Sequence, residues 1–417
     1  MINRLFRQTD IPKKYHSNFI HLYFDIGWFG ILSGSAVNFL NVYAARLGAT
    51  GLQIGFLAAA SAVVNLLIAI PAASWIEKRN TNRAVFWSSI FYRLGYALWI
   101  PLPLISNPQL QIWALIAITF FMAIPLTPLG VGFNALFAES VPSNYRAHVA
   151  GIRNVVFAFT YMASSLFSGF LLENLSFISG YQIIFGIGFF GAAMSSLHLY
   201  FVRPLTDETL PLPPSSMPDS DQKADSPRGI LATMRLDVLQ TPFRRVLILL
   251  LAFHFAHYIT NPLYALYNVN ILHLNDNHIG IGTALYYLTV FIGSTQLSKA
   301  VRWLGHKRVT GWGVVGMATY PLTLALSHQV WHFYLISILG GVTWAFAGGA
   351  YANYMLEKIP PNDRPSHLAW YTMALNSAIL LSSFIGPAIG DLMGLTTALV
   401  VFGIMRALAG LAILKWG

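Results

Sequence analysis

Twelve long apolar runs leave this chain few ways to fold. They cover residues 19–44, 52–75, 84–105, 111–138, 147–172, 181–202, 243–272, 279–299, 309–327, 330–356, 366–390 and 396–414. Roughly 20 consecutive apolar residues let a helix cross the hydrocarbon layer of a bilayer. A transmembrane barrel would alternate apolar and polar positions over about ten residues; these runs are continuous. Most connections are short, so successive helices are antiparallel neighbours. A soluble alternative fails on charge. Only 10% of the 417 residues are charged, against roughly 25% in a soluble domain, too few to coat a polar shell. The expectation is an all-α polytopic membrane protein. The absence of cysteine rules out disulfides, thiolate metal sites and cysteine nucleophiles.

The positions of the basic residues predict orientation. With the N-terminus in the cytoplasm, 21 of the 25 Lys and Arg residues fall in cytoplasmic segments and one, Arg46, falls on the opposite side. Such a bias orients membrane proteins with the basic loops inside. Both termini are therefore expected to be cytoplasmic, in a plasma (inner) membrane. The net charge of +10 then reflects topology and implies no nucleic-acid partner. The first apolar run is too long for a cleaved signal peptide and is read as a retained span, with Ile2, Leu5 and Phe6 expected at the membrane interface.

One stretch breaks the pattern. Residues 203–242 hold Pro204, Pro211, Pro213, Pro214, Pro218 and Pro227, with Asp207, Glu208, Asp219, Asp221 and Asp225 among them. That composition cannot bury a core and reads as a linker, with a short surface helix over 230–239. The chain divides into 1–202, a first six-helix unit; 203–242, a cytoplasmic linker; and 243–417, a second six-helix unit. The units correspond at an offset of 218: Glu139, Pro142, Arg146, Ser165 and Glu173 meet Glu357, Pro360, Arg364, Ser383 and Asp391. Parallel repeats with a substrate site between them near mid-membrane are a transporter architecture.

With these features the chain resembles the major facilitator superfamily over nearly its whole length. The loop after the second span holds Ala73, Glu77, Lys78 and Asn80 at the Gly, Asp, Arg and Gly places of that family's loop motif. The loop after the eighth span ends Gly305-His306-Lys307-Arg308, with Arg302 at the acidic place. The subfamily is unassigned: Ser168-Gly169 replaces the Gly-Pro of the drug–proton antiporters, and His254-Phe255-Ala256-His257 stands where sugar porters carry paired glutamines. The resemblance implies twelve helices in two pseudo-symmetric six-helix bundles. It also implies a cytoplasmic gate network drawn from Glu77, Lys78, Glu139, Arg146, Arg153, Glu357 and Arg364, which joins the halves when the transporter is open outward.

Ionisable and amide side chains inside spans are the candidate site residues, because they are costly in lipid unless they face protein or water. Span one offers His21 and Asp25, four apart and so on one helical face. Asp25 is expected to face the cavity and, when desolvated, to exchange a proton. Span seven carries His254, His257, Asn261, Tyr264 and Asn268 in steps of three and four, one continuous polar stripe, with Asn261-Pro262 as a local break. Spans four, five, ten and eleven add Asn134, Asn154, Asn353 and Asn376. Each single amide has an equally good reading as a helix–helix bond. Arg93, Arg153 and Arg406 lie within spans and read as structural: Arg153 beside the Arg146 network, Arg406 snorkelling to the cytoplasmic surface.

The sequence thus points to a secondary transporter of a small solute working by alternating access, with protons as the candidate coupling ion. A cavity of His, Asn, Tyr and Trp, with no basic pair on spans one and seven, suits a neutral, polar or cationic solute over a phosphorylated anion. The alternative is a translocator of lipids or amphipathic drugs on the same fold; a membrane-embedded enzyme is a weaker third reading. No ATP-binding loop motif, metal set or cofactor motif occurs. The expected partners are a small-molecule substrate, protons and the bilayer, with the chain a monomer.

Overall fold

The computed structural model describes residues 12–205, 235–360 and 363–417. Ile2, Leu5, Phe6 and residues 230–234 of the expected surface helix lie outside them. The protein is all-helical among the described residues and forms twelve spans. Eight helices are each long and apolar enough to cross a membrane alone: Gly51–Glu77, Pro108–Ser140, His148–Asn174, Phe177–Phe201, Phe243–Asn270, Val330–Leu356, Ser366–Met393 and Leu395–Trp416. Spans one, three, eight and nine are more polar or interrupted and complete the set. Of the linker, residues 236–240 form a single 3₁₀ turn, Leu236–Gln240.

Each interruption has a local cause. Span one runs as Lys13–Leu32 and Asn38–Arg46, joined by a π-helical turn, Ser33–Val37. Ser35 donates its hydroxyl to the Ile31 carbonyl (2.7 Å) within this wider turn. A π turn inserts an extra residue and rotates everything after it. Span seven is Phe243–Tyr258 followed by Asn261–Asn270. Pro262 lacks an N–H and its ring clashes with the carbonyl four residues back, so the helix stops before it. The sequence expects separate eighth and ninth spans, and the helices over 276–304 and 306–317 are divided at Gly305, whose φ of +77° and ψ of +160° leave the helical region and favour glycine.

Spans one to six pack on one another and so do spans seven to twelve. Span one lies against five and six, span two against four, and span three against four and six. In the second half, spans eight and nine cross ten and twelve, and span seven crosses eleven and twelve. The halves meet through span five on eight, eleven on two, and seven on one and two. These meetings are close because side chains are missing. A Cβ on Gly55 would sit 2.1 Å from the Ser383 carbonyl oxygen, and one on Gly169 would sit 2.9 Å from that of Asp276.

The cross-half contacts cluster toward one end, that of the turns after spans one, five and seven. Arg46 pairs with Asp276 (3.2 Å) and donates to the Leu274 carbonyl (2.5 Å). Asn275 donates to Glu173 (2.9 Å). At the other end, which carries most of the Lys and Arg side chains and is called the basic end below, no hydrogen bond or ion pair joins the halves among the described residues.

Candidate substrate cavity

Between the halves lies a cavity of about 420 Å³. Its wall carries four amides, Asn38 and Asn41 from span one and Asn261 and Asn268 from span seven. Five tyrosines add ring faces and hydroxyls: Tyr161, Tyr264, Tyr286, Tyr287 and Tyr320. Thr283, Ser337, Thr343, His257 and Arg406 complete the polar part. No Asp or Glu lines it. Tyr161 and Tyr287 stack across the two halves with centroids 4.0 Å apart. Asn38 organises this corner: it donates to Ser165 (3.2 Å) and accepts from Tyr161 (3.3 Å) and Thr283 (3.4 Å).

Four residues of the span-seven stripe, His257, Asn261, Tyr264 and Asn268, therefore line the cavity. Three of them present polar atoms that find no partner among the described residues: His257 Nδ1, the Tyr264 hydroxyl and Asn268 Oδ1. Buried polar atoms are nearly always paired, so these are atoms for a ligand or water to satisfy. His254 does not reach the wall. It exchanges a hydrogen bond with Tyr371 of span eleven (2.8 Å) and ties two helices together.

Asp25 departs from the sequence expectation. It is 3% exposed and is not among the cavity-lining residues. Its carboxylate accepts from Ser195 (2.5 Å) and Arg153 (3.1 Å), with Arg93 at 3.8 Å. Spans one, three, five and six thus share one buried charge cluster inside the first half. The physical reason is helical phase. Thirteen residues separate Asp25 from Asn38, roughly 220° around a helix at 3.6 residues per turn, and the wider π turn between them changes that phase. Arg153 is also displaced from its expected place: it sits about two turns beyond Arg146, turned to span one and over the Phe133 ring at 4.8 Å. His21 lies beside the cluster, not in the cavity, with Nδ1 2.9 Å from that of His198.

The remaining amides divide. Asn376 is buried and continues a cross-half chain: Thr127 donates to Asn65 (2.6 Å), which donates to Asn376 (3.3 Å). Asn134, Asn154 and Asn353 are exposed on their spans. Glu77, Lys78, Glu139, Arg146, Glu357 and Arg364 are exposed at the basic end. Three of them bond within one half: Glu139 accepts from Thr81 (3.1 Å), Arg146 donates to the Ala138 carbonyl (2.6 Å), and Glu357 pairs with His306 (2.6 Å).

Arg406 was expected to snorkel and instead is 2% exposed. It reaches inward from span twelve to the break in span seven. The last carbonyls of a helix have no donor of their own and carry the negative end of its dipole. Arg406 donates to the carbonyls of Ala256 (3.2 Å) and His257 (3.0 Å), to that of Met317 (3.2 Å), and to the Thr260 hydroxyl. Sequence reasoning missed Asn38, Asn41, Tyr286, Tyr287 and Tyr320 as well. The spacing of Asn38 and Asn41, three apart, was the available signal; the tyrosines look like any aromatic on an apolar span.

A model of the Major Facilitator Superfamily matches residues 26–275 and 246–417. The chain belongs to this family. Its long apolar helices make it an integral membrane protein. Among curated proteins, the class B tetracycline resistance protein of Escherichia coli is 30% identical over 118 residues, a match spanning 28% of each chain. Among solved structures, the fold is similar to a D-xylose–proton symporter (TM-score 0.69, 16% identity, 96% of this chain and 97% of that one). It is similar to the nucleoside transporter NupG (0.65, 13%, 97% and 100%). It is also similar to a bacterial homologue of the iron transporter ferroportin in an inward-facing state (0.69, 13%, 98% and 99%).

Proposed function

We propose that this protein carries a small solute across the membrane by alternating access, binding it in the cavity between the halves. The observation that carries this reading is the set of unpaired polar atoms at His257, Tyr264 and Asn268, buried on a wall shared by both halves. In this reading residues 1–202 and 243–417 are the two moving units, and 203–242 is the cytoplasmic linker. The basic end is cytoplasmic, as the basic-loop bias supports, so the conformation is inward-open. Glu77, Lys78, Glu139, Arg146, Glu357 and Arg364 then stand apart until the outward-open state brings the halves together. Asn134, Asn154 and Asn353, exposed on their spans, face the water-filled cleft, since lipid would not solvate them. The protein works as a monomer in the plasma (inner) membrane.

If transport is coupled to protons, His257 replaces Asp25 as the leading candidate, because it is the one histidine among the described residues of the cavity wall and its ring Nδ1 has no partner among them. The test is solute flux in proteoliposomes with an imposed pH gradient, comparing wild type with Asn268→Leu and His257→Gln. Asn268→Leu should abolish flux of the transported solute. His257→Gln should keep downhill flux and lose gradient-driven accumulation. Wild-type flux in Asn268→Leu would overturn the cavity assignment.

A second reading has its own observation. An apolar gap of about 150 Å³ opens on the membrane face between spans five and eight, lined by Phe159, Met162, Leu288 and Phe291. Tyr287 belongs both to this gap and to the cavity. That arrangement, with the tetracycline-resistance similarity, supports an amphipathic drug or lipid entering sideways. Flux that rises with the solute's membrane partitioning, and falls on Phe159→Ala, would favour it.

A further inference from the structure

We infer that the cavity is built for a monoanion that also carries a hydrogen-bond donor, a carboxylate with a hydroxyl or N–H at its far end. The inference rests on the cavity being the substrate site. It reverses the neutral or cationic solute expected from the absence of a basic pair on spans one and seven.

The charge comes from span twelve. Arg406 is the one fixed charge on the cavity wall, and no carboxylate among the described residues pairs with it. Its acceptors are all neutral: three backbone carbonyls and the Thr260 hydroxyl. Helix-end dipoles stabilise a cation only in part, and a buried charge without a counter-ion remains costly. The guanidinium has five N–H groups. Nη1 gives one of its two to Met317, and the other has no acceptor among the described residues. A bound anion supplies both the missing charge and the missing acceptor.

The far end of the ligand is set by a separate observation. Asn268 Oδ1 is buried and unpaired, and an amide oxygen accepts only from a donor. Asn268 lies about three turns along span seven from His257, which neighbours Arg406. The unpaired Tyr264 hydroxyl stands between them, and ring faces flank the path, Tyr264 against Tyr320 at 4.9 Å. An elongated molecule with an anionic head, an aromatic or apolar middle and a donor tail satisfies all of these groups together. Two carboxylates inside the fold are held by other arginines: Asp25 by Arg93 and Arg153, and Asp276 by Arg46.

The test uses the purified full-length protein and three probes with one ring: para-hydroxyphenylacetate, its neutral amide, and tyramine, the cation. Binding is read as a concentration-dependent thermal shift. The acetate should bind on the order of tenfold more tightly than the amide, the scale of a hydrogen bond to a charged group, and tyramine should give no shift. Phenylacetate, lacking the donor, should fall between acetate and amide. Arg406→Gln should erase the acetate-over-amide preference. Because that variant also strips donors from the break in span seven, Arg406→Lys serves as the second variant, keeping the charge and part of the preference. Equal binding of acetate and amide to wild type overturns the inference, as does binding of tyramine alone or no shift with any probe. If acetate and amide bind equally and Asn268→Leu abolishes both, the charge inference falls while the cavity assignment stands.

Discussion

The two halves bury their arginines in different ways. In the first half, Arg93 and Arg153 converge on Asp25, and Ser195 completes the set with a 2.5 Å hydrogen bond. In the second half, Arg406 has no counter-ion among the described residues and leans on carbonyls at a broken helix. The first arrangement is saturated by the protein and lies off the cavity. The second is saturated only in part and lies on its wall. A charge inside a span is thus an incomplete guide to function. What the protein leaves unpaired is more informative than what it buries.

The sharpest way to break this comparison is Asp25→Asn. It leaves two buried guanidiniums without a carboxylate, a change expected to cost about 3–5 kcal/mol and to lower the melting temperature of the detergent-solubilised protein. Adding Arg153→Leu should recover part of that loss, since one uncompensated charge leaves with it. An unchanged melting temperature in Asp25→Asn would mean that the cluster is not the tie described. In the second half, Thr260→Val removes one neutral acceptor from Arg406 while three carbonyls remain. The expected cost is smaller, about 1–2 kcal/mol, read in the same assay. A larger loss from Thr260→Val than from Asp25→Asn would invert the comparison.

Weaker effects sharpen the contrast between the two ends. Arg46→Gln removes a partly exposed ion pair worth about 0–1 kcal/mol in stability. The pair bridges the halves, however, so its loss should raise the population open at the far end. Spin labels at Ser176 and His273, both exposed, should gain a longer-distance fraction in the variant, and an unchanged distribution would show that the pair is not a latch. At the basic end, Arg235 holds Asp237 and also Asp363 (2.9 Å each), joining the linker's end to span eleven. Hydrogen bonding to Arg235 keeps the Asp237 carboxyl below its usual range. A lowered carboxylate pKa contributes stability above the unfolded value and loses it as pH falls through the folded one. Protection of the amides over Leu236–Gln240, read as exchange relative to the intrinsic rate at each pH, should therefore fall only below about pH 4. This is the smallest effect expected.

The twelve spans were legible because lipid demands long apolar runs whatever the tertiary arrangement. The break in span seven was legible because Pro262 has a local cause, and the stripe His257–Asn261–Tyr264–Asn268 because helical spacing is itself local. Facing was not legible wherever it depends on partners. His21 and Asp25 share a helical face, and nothing in their spacing says that the face meets spans three, five and six. The π turn at Ser33–Val37 then shifts the phase that would have linked Asp25 to Asn38. Arg406 sits near the middle of an ordinary apolar helix, and its destination is a set of carbonyls freed by a proline more than a hundred residues earlier. Tyr286, Tyr287 and Tyr320 carry no pattern that separates a cavity wall from a lipid-facing girdle.

The glycine contacts at Gly55 and Gly169 have a mechanical meaning. Backbone rests on backbone there, so the two crossings act as bearings, and they sit near one end of long rods. From Gly55 to Glu77 span two extends about 33 Å at 1.5 Å per residue. With such leverage a tilt of about 10° moves the distant tip by about 6 Å, a helix-length estimate from the same rise per residue, while the bearing surfaces shift by a small fraction of that. Large strokes at one face of the membrane then require almost no repacking at the other, and a single methyl group on either glycine would jam the axle.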